Sequence, residues 1–243
     1  SLAFLAGHPT LNLLQLENPK LTDAGAAQLA TIPNLETVTI GYAVDASNPV
    51  LLTDAAVGHL VRLPRLLKLG INRSEITDAG LSQLVTAKPG LQLLGLAHSK
   101  ITDKGTGNLR HVPRLVHLTL SDTGVGDGLA EVLPLMSRLS GLTLARTSIT
   151  DKTMQGISQL AKLRTLNVTG TAVTDAGVAH IKGMPSLEYL TLDETEVTDA
   201  CLTSLAEIAS LKSVNLYRGN VTAVAVQRLR AARPELRVSH ESR

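Results

Sequence analysis

Aromatic residues are nearly missing from this 243-residue chain: there is no Trp, one Phe and three Tyr, 2% in all. Stacking platforms for sugars or exposed bases are therefore scarce, which disfavours carbohydrate and nucleic-acid binding. There is a single cysteine, Cys201, so no internal disulfide can form and redox compartment is left open. No run of about 18 apolar residues is present to span a membrane, and no basic-then-apolar leader opens the chain. Charge of neither sign dominates, the net being +2, so the composition does not mark a polyanion binder. Gly124–Gly128 is not a phosphate loop, because it replaces a recurring Thr-Asp in a worn copy of a longer unit.

What the chain has in quantity is Leu, Ala, Val and Ile, within a hydrophobic content of 44%. Their arrangement is periodic. Leu/Ile/Val-Thr-Asp returns with its Thr at 22, 53, 77, 102, 150, 174 and 198, and worn copies stand at Gly126 and Thr222. Thr150, Thr174 and Thr198 are 24 residues apart, and the other spacings agree once two irregularities are removed. These are a seven-residue insertion after the second strand and one extra residue before Leu91. A fixed period of this size means one structural unit stacked many times.

Thirteen residues after each Thr comes Leu-x-x-Leu-x-Leu, as in Leu115, Leu118, Leu120 and Leu139, Leu142, Leu144. The Leu-x-Leu pair has period two and predicts a short strand with its leucines on one face. A small hydroxyl follows (Ser74, Ser99, Thr123, Thr147, Thr171, Thr195), suited to bonding backbone groups of the adjacent turn. The Thr of Thr-Asp suits a helix N-cap, and the Asp beside it favours the positive end of the helix dipole. Apolar residues at Thr+4, +7 and +10, such as Val57, Leu60 and Leu63, give one buried stripe on a helix of about three turns. Pro33, Pro64, Pro89, Pro113 and Pro185 close the helices.

Ten strands are predicted, beginning near Leu11, Leu35, Leu66, Leu91, Leu115, Leu139, Leu163, Leu187, Leu211 and Leu236. Strands stack at about 4.8 Å and helices at about 8–10 Å, so the stack is expected to curve with strands inside and helices outside. The fold class is thus an α/β solenoid, a horseshoe with a parallel sheet on its concave face. Residues 1–243 are read as one domain. Leu2 and Leu5 match positions +4 and +7 of a helix whose start is absent, so the sequence is read as cut from something longer; its polar end after Pro234 reads as a natural terminus.

These motifs resemble the leucine-rich repeat family over essentially the whole chain. Ile76-Thr-Asp-Ala-Gly-Leu81 is similar to the cysteine-containing subtype known from F-box proteins. Ser or Thr replaces the usual cysteine and the unit is shorter, which resembles the bacterial repeat proteins typical of planctomycetes. The resemblance implies a non-catalytic module that recognises protein or peptide on the concave face, with no cofactor. There is no F-box-like segment to support a ubiquitin-ligase role. The alternative is a spacer that positions an upstream catalytic or membrane-anchoring domain. The chain is read as a monomer, and bacterial cytoplasm and cell envelope both stay open.

Candidate binding residues lie at the variable strand positions. One column past the strands is charged: Arg73, His98, Asp122, Arg146, Gly170, Glu194, Arg218. At one strand spacing between neighbours, Asp122 is expected to reach both His98 and Arg146. Tyr and Arg are enriched at interface hot spots, which singles out Tyr189, Asp193, Glu194, Tyr217 and Arg218, with Arg73, His98, His117 and Arg146 second. The insertion at Gly41–Pro49, carrying Tyr42, is a further candidate because solenoid insertions map to loops and often to binding faces.

No catalytic set emerges. His98 and His117 are expected roughly 16 Å apart along the strand direction, too far to share a metal. Cys201 occupies a slot where other units carry Gly and is read as a packed helix-start residue. Basic residues near helix ends (Arg65, Arg110, Arg114, Arg138, Lys162, Lys182, Arg230, Arg233) are assigned to the negative end of each helix dipole.

Overall fold

The computed structural model describes residues 2–17, 20–41 and 52–241. Two compact units, residues 1–123 and 124–243, divide the chain. The boundary falls on the worn repeat in which Gly124–Gly128 stands for Thr-Asp.

In the first unit, five parallel strands follow in chain order: β1 (Leu13–Leu16), β2 (Thr37–Ile40), β3 (Lys68–Ile71), β4 (Leu93–Gly95) and β5 (His117–Thr119). Helices α1 (Asp23–Leu29), α2 (Asp54–Leu60), α3 (Asp78–Ala87) and α4 (Asp103–Thr106) follow the first four strands. The second unit repeats the plan with β6 (Gly141–Thr143), β7 (Thr165–Asn167), β8 (Tyr189–Thr191), β9 (Ser213–Asn215) and β10 (Arg237–Ser239). Its helices are α5 (Asp151–Ile157), α6 (Asp175–Ile181), α7 (Cys201–Glu207) and α8 (Ala223–Ala232). Each predicted strand is present. The insertion and the extra residue fall outside the strands, so the register stays in phase: Thr37 sits on Lys68, and Lys68 on Leu93.

The core is one layer thick and lies between strands and helices. Strand leucines such as Leu69, Leu94, Leu142 and Leu166 are fully buried, as are Val57, Leu60, Leu81, Leu84, Val178 and Ile181 from the helices. The helices are shorter than the sequence suggested. Five of them have 7 residues, two turns, and the +10 residues Leu63 and Met184 pack from the turn that follows. Only α3 and α8 reach 10 residues. α3 has room because the extra residue before Leu91 lies in its repeat. α4 stops after 4 residues and continues as a 3-10 helix over Gly107–His111, since Gly105 and Gly107 weaken an α-helix. In the worn repeat, 3-10 turns at Asp127–Glu131 and Leu133–Leu135 replace the α-helix. Pro134 disfavours the α conformation at the residue before it.

The Thr caps form. The hydroxyls of Thr53, Thr77, Thr102, Thr150 and Thr174 each accept from the backbone N–H two residues on. The Asp beside most of these Thr residues does more than face a dipole. Its carboxylate reaches into the next repeat and accepts two bonds from that repeat's Thr, one from the backbone N–H and one from the hydroxyl. In the first unit, Asp54 holds Thr77 at 2.8 and 2.6 Å and Asp78 holds Thr102 at 2.8 and 2.6 Å, while Asp23 holds Thr53. In the second, Asp151 holds Thr174 at 2.8 and 2.7 Å and Asp175 holds Thr198 at 2.8 and 2.6 Å. Asp127 and Asp199 treat Thr150 and Thr222 the same way.

This bridge explains the glycine of Thr-Asp-Ala-Gly. A Cβ at Gly80, Gly105 or Gly177 would stand 2.1, 2.4 or 2.3 Å from a carboxylate oxygen of the preceding repeat's Asp. Where the slot holds Thr153, its hydroxyl donates to Asp127 Oδ1 at 2.6 Å. Asp151→Ala is expected to lower stability by about 2 kcal/mol, having stripped two charge-assisted bonds. Gly177→Ala should then be more favourable in the Asp151→Ala background than in the wild type by at least about 1 kcal/mol, read from urea unfolding midpoints; additivity would contradict the bridge.

The bridge also sets a pH dependence. Burial alone would raise the Asp127 carboxyl, but the bonds from Thr150 and Thr153 outweigh it and hold the group below its ordinary value. Asp199 is also held low, by the backbone and hydroxyl of Thr222. A depressed folded-state value gives stability that is present above the unfolded carboxylate value and lost as pH falls through the folded one. The urea midpoint should therefore drop as pH is taken below about 4, with Asp127→Asn giving a flatter profile.

Candidate functional site

The open face of each five-stranded set carries the columns read from the sequence. His117 begins β5 and is exposed; Tyr189 begins β8 and is 48% exposed. The residues between the strand leucines, such as Thr119, Thr143, Asn167 and Thr191, are half-buried, so the floor of this face is polar and low.

The charged column has a backbone property that the sequence concealed. Arg73, His98, Asp122, Arg146, Glu194 and Arg218 all adopt left-handed conformations, with φ between 51 and 59°. Gly170, in the same column, has φ 65°. A left-handed backbone costs roughly 1–2 kcal/mol in a residue with a Cβ. The turn recovers part of this through the column's own N–H groups, which donate across to the next repeat. Arg73 and His98 donate to the carbonyls of Ala97 and Ser121 at 2.8 Å in the first unit; Arg146, Gly170 and Glu194 donate to Thr169, Asp193 and Tyr217 at 2.7–2.9 Å in the second. The following hydroxyl locks the turn. Ser99, Thr123, Thr147, Thr171 and Thr195 each donate to the carbonyl three residues back at 2.6–2.7 Å. Ser74 departs from this pattern, its hydroxyl oxygen being buried without a partner, as is that of Ser121, which precedes the left-handed Asp122 and stands outside the series.

Side chains of the column pair within each unit. His98 Nε2 lies 3.3 Å from Asp122 Oδ2, and Arg218 Nη1 donates to Glu194 Oε1 at 2.9 Å. Asp193 Oδ1 accepts the Tyr217 N–H at 2.7 Å. Burial pushes the Asp193 carboxyl up, against the pull of that bond. Of the first-ranked candidates, Asp193, Glu194, Tyr217 and Arg218 are thus tied together at the turns that follow β8 and β9. Tyr189 stands at the other end of β8, about 13 Å away along the strand direction. The second set is divided: Arg73, His98 and His117 belong to the first unit, Arg146 to the second. Tyr42, and with it the insertion after Gly41, lies outside the described residues.

Among the described residues no cluster of three or more His, Cys, Asp or Glu is arranged to hold a metal ion, and no helix is long and apolar enough to cross a membrane. Cys201 is fully buried at the start of α7. Burial, then the nearby Asp175 and Asp199 carboxylates, push its thiol up to about 12.

Strand, left-handed turn and outward helix, repeated in register around a single leucine layer, define a repeat solenoid. The family described as "Leucine Rich repeat" matches residues 159–181, which run through β7 and α6. An internalin from Listeria monocytogenes, known from its crystal structure, is similar over the whole chain: 18% identity, TM-score 0.69, covering 100% of this chain and 71% of the internalin. No curated protein matches the sequence. The chain has a leucine-rich repeat fold.

The thiol makes a direct check on this geometry. At about pH 8 the native protein should leave Cys201 unreacted toward a disulfide reagent, while the urea-unfolded chain reacts as a free thiol does. Fast labelling of the folded protein would contradict the burial.

Proposed function

We propose that this chain is a non-catalytic recognition module that binds a protein or peptide partner on the open strand face of its second unit. The observation that carries the reading is the pair of exposed tyrosines, Tyr189 at 48% and Tyr217 at 38%, in a chain with three tyrosines in all. Large aromatics supply contact area at small entropic cost, and Tyr is enriched at interface hot spots. Beside Tyr217, Glu194 and Arg218 form an ion pair in left-handed turns, where glycine would sit with less strain. Strain of this kind clusters at functional positions. The polar floor between the leucines lets a partner approach the backbone, and the charged rim favours one orientation of it.

The same face in the first unit offers His117 and the His98–Asp122 pair, without an exposed tyrosine among its described residues. The second unit is therefore the proposed anchor. Tyr189→Ala, and separately Arg218→Glu, should each weaken capture of a partner by about tenfold or more, with urea midpoints unchanged. Capture that survives both substitutions would remove the strand face as the site and leave the spacer reading in its place.

A further inference from the structure

A second surface lies at the opposite edge of the second unit, where the chain enters β6, β7, β8 and β9. A shallow groove of about 530 Å³ opens there, lined by Arg138, Lys162, Arg164 and Glu188 with the hydroxyls of Ser140 and Ser186. The sequence assigned Arg138 and Lys162 to helix dipoles, but the structure gives that kind of role to other residues. Arg233 closes the end of the preceding repeat's helix, its guanidinium donating to the carbonyls of Ala206 at 2.7 Å and Ile208 at 3.3 Å. Lys88 donates to the Leu63 carbonyl in the same manner. Arg138 and Lys162 are exposed and bond no carbonyl or carboxylate among the described residues.

The groove already seats one carboxylate. Glu188, 15% exposed, receives Arg164 Nη2 at 2.6 Å on Oε1 and Lys212 Nζ at 3.1 Å on Oε2. Lys212 and then Arg164 hold its carboxyl below the ordinary value. In the neighbouring column Arg138 and Lys162 occupy adjacent repeats and Ser186 the next. No acid stands between or beside these two cations in that column, whereas Glu188 lies between Arg164 and Lys212. Arg164 and Lys212 thus share one carboxylate, whereas Arg138 and Lys162 hold none among the described residues and stand on adjacent repeats, about one strand spacing apart.

We propose that this edge groove binds an acidic peptide segment, its carboxylates seated on Arg138 and Lys162 by the same kinds of cation–carboxylate contact that Glu188 makes with Arg164 and Lys212. The planar fork of Arg suits bidentate carboxylate recognition. The chemistry favours peptide over nucleic acid. The groove has no aromatic residue in its lining on which a base could stack, and two unengaged cations are few beside the six to ten phosphate contacts common on duplex DNA. Pro185 gives one wall an apolar surface for the peptide's backbone and side-chain stems. The site is separate from the tyrosines and turns proposed for partner recognition, and it can stand or fall without them.

The test titrates a fluorescent octaglutamate peptide into the full chain by anisotropy, at low and at raised salt. Saturable binding is expected, weakened about tenfold in Arg138→Glu or Lys162→Glu and unchanged in Lys104→Glu, the same charge change on an exposed helix of the first unit. The Tyr217→Ala variant should keep the peptide affinity, which separates this site from the strand face. Circular dichroism melts matching the wild type show that the variants fold. Absence of saturable binding, or equal loss in Lys104→Glu, overturns the proposal. So does single-stranded DNA that binds more tightly than the peptide and loses affinity in the same two groove variants.

Discussion

The carboxylate that leaves one repeat and takes both the N–H and the hydroxyl of the next repeat's Thr sets most of what is seen elsewhere. At a helix start the first N–H groups lack partners within the helix, and in a stack they would be pinned between neighbours. The Thr hydroxyl meets one from inside its own repeat, and the Asp of the preceding repeat meets the N–H of the Thr itself. Where the same Asp also begins its own helix, as Asp54, Asp78 and Asp151 do, a bridge ties two helix starts together. The Gly of Thr-Asp-Ala-Gly then keeps side-chain bulk from the carboxylate. A 24-residue unit so constrained leaves length for two helical turns and a short strand.

A second ladder closes the other end of each strand. The left-handed residue sends its N–H to the following repeat, and a Ser or Thr one position later bonds back to the last strand leucine. Between the two ladders, the polar groups that recur in every unit are spent on holding the stack. Function has to be carried by positions outside both ladders: strand residues on the open face, side chains of the left-handed column, and the edge where the chain enters the strands. Tyr189, Tyr217 and the Arg138–Lys162 pair belong to these positions, and the buried Cys201 does not.

Much of the scaffold was legible in the sequence because its signals lie within one repeat. Leu-x-Leu, the hydroxyl after it and the Thr cap are fixed offsets, and most copies fell where their chemistry placed them, Ser74 and Thr22 being exceptions. The destination of the Asp was hidden, since a bond to the next repeat leaves no local trace beyond the glycine three residues after Thr. The helices were overestimated because the +10 apolar residues read as a third turn, whereas Leu63 and Met184 bury themselves from the loop. The left-handed column was hidden for another reason. Glycine marks such a backbone by convention, and only Gly170 did so; Arg, His, Asp and Glu in the other copies look like ordinary surface charge. The basic residues near helix ends likewise read as one class, yet Arg233 bonds carbonyls of the preceding repeat while Arg138 and Lys162 face the edge groove.

If the bridge is the constraint on which the stack depends, the amide protons of Thr77, Thr102, Thr174 and Thr198 are held as firmly as the sheet. Native-state hydrogen exchange reads this directly. These four amides should exchange as slowly as strand amides such as Leu166 and Leu190, opening only with their repeats. Exchange at the rate of exposed loops would show that the carboxylates do not hold the helix starts, and the account would fail.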